Sequence, residues 1–153
     1  MLDSKTCVSL LVDVAGALLP SIRTYADAES LATIESAIAF SQSWLTNPNE
    51  SQGYAEIERR ATELTGRAEL YSQGITIGEE DHPLAKLTHE QQENVRDVSD
   101  IAAGAVRNTA ATDLASANQE CFDRLSWARA MVDRSGDPIL ASVVEGLIAV
   151  ACR

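Results

Sequence analysis

The stretch YAEIERRATELTGRAELY, residues 54–71, decides the fold. Its apolar side chains fall at Tyr54, Ile57, Ala61, Leu64, Ala68 and Tyr71, in alternating steps of three and four. That is the a/d spacing of a helix that packs nearly antiparallel to another. Polar residues fill most other positions, so the segment reads as an amphipathic helix that stops at Gly74. The seam suits a neighbour in the same chain. It would serve an intermolecular helix pair equally well, which would make the protein a homodimer.

Outward from this segment the same periodicity recurs. Upstream, Asp3 to Ile22 places Cys7, Leu11, Val14 and Leu18 on one stripe, with Pro20 expected to kink or end the helix. A second helix begins near Asp27–Ser30, both suitable N-caps. It carries two apolar faces: one holds Leu31, Ile34, Ile38, Ser41 and Leu45, the other Ala37, Phe40 and Trp44. Residues 46–51 form a loop by composition. Downstream, Gly74–Leu87 reads as the longest loop, and Thr88 with Gln91 three residues later spells a capping box. Two stripes follow, one from Val95 through Val98, Ala102 and Ala105 to Thr109. The other runs from Leu114 through Ala117, Cys121, Leu125 and Ala128 to Val132. They are out of register, which predicts a break within Asn108–Asp113. Ser135-Gly136-Asp137-Pro138 ends one helix and caps the next. The last helix, Pro138 to about Ala151, is apolar at Leu140, Val143, Val144, Leu147, Ile148 and Ala151, and is expected at the centre. The expectation is an all-α, single-domain, compact bundle of five or six helices.

Composition agrees and narrows the function classes. The chain has 153 residues, 23 of them alanine, the best helix former. Against 12 Lys and Arg stand 23 Asp and Glu, a formal charge of −11. Such a surface disfavours nucleic acid, whose phosphates are contacted mainly by Lys and Arg, and attracts basic partners. Cys7, Cys121 and Cys152 are an odd number with no CxxC spacing and read as small core residues, which fits a reducing, cytoplasmic setting. Asp3 and Asp13 argue against a signal sequence over Cys7–Leu19, and no membrane span is expected. Isolated glycines at 16, 66, 104 and 146 suggest close helix–helix approach.

No nucleotide loop or positioned nucleophile stands out. Glu79-x-x-His82 has the spacing of ferritin-like di-iron helices, but it occurs once and between Gly78 and Pro83, so it reads as a solvated acidic loop. No metal and no cofactor is expected. Glu90-x-x-Glu93 and Glu120-x-x-Asp123 would each place two carboxylates on one helix face, where Mg²⁺ could be held against a pyrophosphate. This pattern is similar to the signature of all-helical NTP pyrophosphatases of the MazG type, and it supplies the alternative function. The acid is concentrated: Glu79, Glu80, Asp81, Glu90, Glu93, Asp97 and Asp100, with only Lys86 and Arg96 among them, are the expected docking surface for a basic protein.

The text VAGALLPSIRTYADAESLATIESAIAFSQSWL followed by EIERRATELTGRAEL, with Leu19-Pro20, Ile34, Ala37 and Trp44 as its marks, resembles the all-helical immunity-protein family of bacterial polymorphic-toxin systems. The resemblance implies a non-enzymatic protein that binds and neutralises a cognate toxin.

Overall fold

Most helices of this chain start where an acid or hydroxyl can accept the amides that a helix leaves free at its first turn. In the computed structural model, which describes residues 1–49, 51–75 and 81–153, α1 (Ser4–Ile22) begins at Asp3, which accepts from the Thr6 amide. Asp27 does the same for α2 (Ala28–Thr46), receiving the Ser30 amide. The third helix, α3 (Tyr54–Ser72), follows Gly53 without a side-chain cap. At α4 (His89–Thr109) the capping box is complete: Thr88 accepts from the Gln91 amide and Gln91 reaches back to the Thr88 amide. Asp113 caps α5 (Leu114–Ser135) and Asp137 caps α6 (Pro138–Ala151). Between the last two helices Gly136 adopts φ +63°, a left-handed conformation that a side chain resists. The chain is all-helical, with six α-helices among the described residues.

The axis of the bundle is α4, not the final helix. It packs against α1, α2, α3 and α5, and Ile101 to Val106 are buried without interruption. The reason is its small side chains: Ala102, Ala103, Gly104 and Ala105 let neighbours approach on every side. The Tyr54–Tyr71 seam is satisfied within the chain, with Ala61, Leu64, Ala68 and Tyr71 buried on the face α3 turns to its neighbours. By contrast α6 packs on α1 and α5 at the edge of the bundle. Only Val144 and Ile148 are buried in it, while Ile139 is 76% exposed and Val150 63%. Its apolar sequence is therefore not a sign of centrality.

Three local expectations are corrected. The first helix runs through Pro20 to Ile22, since Pro20 sits on the solvent side with only two helical residues beyond it. Within the stretch read as a loop, Pro83–Lys86 forms a 3-10 turn (η1) capped by the His82 ring, and Leu84 is fully buried. The Gln92 amide locks that turn to α4 by donating to the Leu84 carbonyl at 2.9 Å. Of the helical glycines, a Cβ on Gly16, Gly66 or Gly146 would meet nothing within 4 Å, so close approach applies to Gly104 alone.

Candidate functional site

Three of the four acidic residues of α4, Glu93, Asp97 and Asp100, face inward, and that placement reorganises the expected docking surface. Glu93, Asp97, Asp100, Gly104 and Arg107 recur on α4 in steps of four and three. On α5 the matching series is Glu120, Arg124, Trp127, Met131 and Arg134. Side chains at this spacing share a helix face, and the two faces meet in a partly buried ionic stripe that α3 closes from its other side.

At one end Asp97 is fully buried. It accepts from Arg96 Nε at 2.9 Å and from Arg134 Nη2 at 2.5 Å. Arg96 reaches Glu69 of α3 at 2.7 Å, and Arg134 also contacts Asn94 at 2.9 Å and Glu93 at 3.5 Å. Burial pushes the Asp97 carboxyl above its ordinary value, and the hydrogen bonds from Arg134 and Arg96 pull it part of the way back. Arg96 also rises, because Asp97 and Glu69 outweigh the burial that works against its charge. The Arg96 guanidinium lies 4.8 Å from the centre of the Trp127 ring, a cation–π contact. His89 pairs with Glu93 across one helical turn, Nε2 to Oε1 at 2.5 Å.

At the other end Arg107 contacts Glu120 at 2.6 Å and Asp100 at 3.6 Å. Arg124 reaches Asp100 at 2.9 Å. Burial raises the Asp100 carboxyl while Arg124 and Arg107 oppose the rise. This end depends on Gly104: a Cβ there would lie 2.6 Å from Arg124 Cγ and 3.3 Å from Glu120 Oε1. The missing side chain is what allows Arg124 to lie across α4.

The seven residues expected to dock a basic protein thus fall into three groups. Glu79 and Glu80 lie outside the described residues. Asp97 is buried, and Glu93 and Asp100 are held by arginines from α4 and α5, so these three are committed within the fold; the linear charge count missed Arg107, Arg124 and Arg134 because they arrive from outside the acidic run. Asp81 and Glu90 remain exposed. The four carboxylates of the pyrophosphatase alternative do not converge. Glu93 sits at the Arg134 end and Glu120 at the Arg107 end, eleven residues or about 16 Å apart along α4 by helix rise, taking Gly104 as the level of Glu120. Glu90 and Asp123 point to solvent. Among the described residues no group of three His, Cys, Asp or Glu side chains is placed to hold a metal ion.

The tryptophans and cysteines divide between core and surface. Trp127 is 38% exposed, whereas Trp44 packs partly buried against the core. Of the three cysteines read as small core residues, Cys7 and Cys121 are buried and Cys152 is exposed. Burial pushes the Cys121 thiol up to about 12, far from the range of a nucleophile at neutral pH.

No family model matches the chain, and no curated protein or solved structure matches it.

Proposed function

We propose that this chain is a non-enzymatic binding protein whose partner is a basic protein, docked at the outer edge of the α4–α5 stripe with Trp127 as its anchor. The observation that carries the reading is a large aromatic ring left 38% exposed yet held in place by Arg96, itself fixed by Asp97 and Glu69. A pre-positioned Trp beside an Arg is the composition of an interface hot spot, and rigidity lowers the entropy lost on docking. Asp123, an exposed acid without an ion-pair partner among the described residues, lies one turn before Trp127 on the same side of α5. It adds to the negative field of a chain of formal charge −11, which speeds encounter with a basic surface. An immunity-type role, neutralising a toxin domain, adds the resemblance of the first three helices. Its marks Leu19, Ile34 and Ala37 are buried, so the resemblance bears on the fold and not on the docking surface.

The test is affinity capture from the native host with wild type, Trp127→Ala and Asp123→Lys as baits, the bound proteins being quantified by mass spectrometry. The expected result is a basic protein retained by wild type, reduced about tenfold or more by Trp127→Ala and progressively released by salt. Co-expression of that partner then reports neutralisation: growth with wild type, arrest with Trp127→Ala. Identical bound proteins for wild type and Trp127→Ala, or retention of an acidic partner, would refute the reading.

A further inference from the structure

On the other side of the molecule α6 leaves an apolar face without a neighbour. Ile139, Val143 and Val150 are exposed there, and Gly146 lies between them on the same face with open space above it. The only charged residue of α6, Glu145, is neutralised by Arg129 of α5 at 2.8 Å. Beside this ridge α1 forms the floor of a groove, walled by Leu147 and Val150 of α6 and by Leu45 of α2. Lys5 and Asp13 stand at the two ends of that floor with Ser9 midway, eight residues or about 12 Å apart along α1. Neither forms an ion pair among the described residues, and the groove's desolvation pushes the Asp13 carboxyl up with no cation beside it to pull it back.

A strip with a positive residue at one end and a negative one at the other, equally distant from its centre, complements itself when turned over. We infer that the α1–α6 face is a two-fold interface between two copies of this chain, centred near Ser9, in which Lys5 of each copy meets the partner's Asp13. A two-fold contact uses the same patch on both copies and makes each contact twice. The geometry satisfies this with one cation and one anion per copy. Apolar contact comes from Leu147 and Val150 with Val143 beyond them, as in the apolar centre of a homodimer interface with its charges at the rim. A second copy is favoured over an unlike basic partner because the face is nearly neutral in a chain of charge −11, so it has little to attract a polycation. It is also where the unpaired carboxylate of each copy, Asp13, can be set against a lysine.

Sedimentation velocity or light scattering on the full chain, from about 1 µM to about 500 µM, measures the association. The expected mass rises from 16.4 kDa toward twice that value. Lys5→Asp and Asp13→Lys should each weaken association by about tenfold or more, and the double swap should restore most of the affinity. Val143→Asp/Val150→Asp should give a monomer with unchanged circular dichroism, since both positions are exposed. A monomer throughout the concentration range would overturn the inference. So would a dimer that survives Val143→Asp/Val150→Asp, or single charge reversals that the swap does not rescue.

Discussion

Gly104→Ala isolates the packing on which one end of the ionic stripe depends. The new Cβ would be 2.6 Å from Arg124 Cγ and 3.2 Å from its Cδ. Both atoms belong to the stem of the side chain, so Arg124 must leave its rotamer or α5 must move away. Leaving the rotamer breaks the 2.9 Å contact to Asp100 and leaves that carboxylate with Arg107 at 3.6 Å. Overpacking of this kind costs about 1–3 kcal/mol. Alanine returns about 1 kcal/mol of helix propensity relative to glycine. Gly66→Ala in α3 meets nothing within 4 Å and keeps only the gain. The difference between the two variants therefore isolates the clash, at about 1–3 kcal/mol, or roughly 2–12 °C in melting temperature for a domain of this size. Urea unfolding followed by far-UV circular dichroism at pH 7 measures it, with an unchanged m-value as the check that only stability moved. The cycle closes with Arg124→Ala: once the stem is gone, Gly104→Ala should cost nothing and recover its propensity gain, giving a coupling of about 1–3 kcal/mol. If Gly104→Ala stabilises as much as Gly66→Ala, or if the coupling is within about 0.5 kcal/mol of zero, Arg124 does not lie across α4 as described.

A thiol reagent added to the native protein at pH 8 should modify Cys152 alone, and all three cysteines in urea, because Cys7 and Cys121 are buried with raised thiols; rapid native labelling of more than one would contradict their burial. Asp3 and Asp113 are held below their ordinary value of 3.8 by the Thr6 and Ser116 amides. A depressed folded value adds stability that is present above 3.8 and lost as pH falls through the folded value, so Asp3→Asn/Asp113→Asn should flatten the acid limb of a stability–pH curve below that point. Asp137→Ala removes the acceptor of the Ile139 and Leu140 amides and should lower stability by about 1 kcal/mol; no change in the urea midpoint would show that Asp137 does not cap α6.

The helix starts and the α3 seam were legible because they rest on local rules. A cap lies within three residues of the amides it serves, and a seam repeats every three or four. The break between α4 and α5 falls at Ala110–Asp113, inside the stretch where the two stripes lose register. The position of α6 was not legible, since an apolar helix can fill a core or cover an edge, and only the competition for central space decides. The poly-small stretch Ala102–Ala105 won that competition for α4. The site was half written in the sequence. Glu93, Asp97, Asp100, Gly104 and Arg107 follow the same four-three spacing as an apolar seam, and so do Glu120, Arg124, Trp127, Met131 and Arg134. Periodicity counted on apolar residues alone passes over a seam made of charges. Pairing each series with the other requires knowing that α4 and α5 are neighbours.

That pairing changes what the acidity of this chain means. Capping accounts for Asp3, Asp27, Asp113 and Asp137. The ionic stripe accounts for Glu69, Glu93, Asp97, Asp100 and Glu120. A local excess of carboxylates in sequence is therefore a poor map of negative surface, because arginines from other helices can neutralise it and burial can remove it from solvent. What is left outside is distributed unequally. Asp123 lies on the Trp127 side of α5, whereas α6 presents one charge and that one is paired. Residues two apart on a helix point about 200° from each other, so Trp127 and Arg129 look to opposite sides of α5. A contact on the α6 side consequently leaves Trp127 open. The two surfaces can be occupied together, and Trp127→Ala and Val143→Asp/Val150→Asp should each abolish one association while sparing the other.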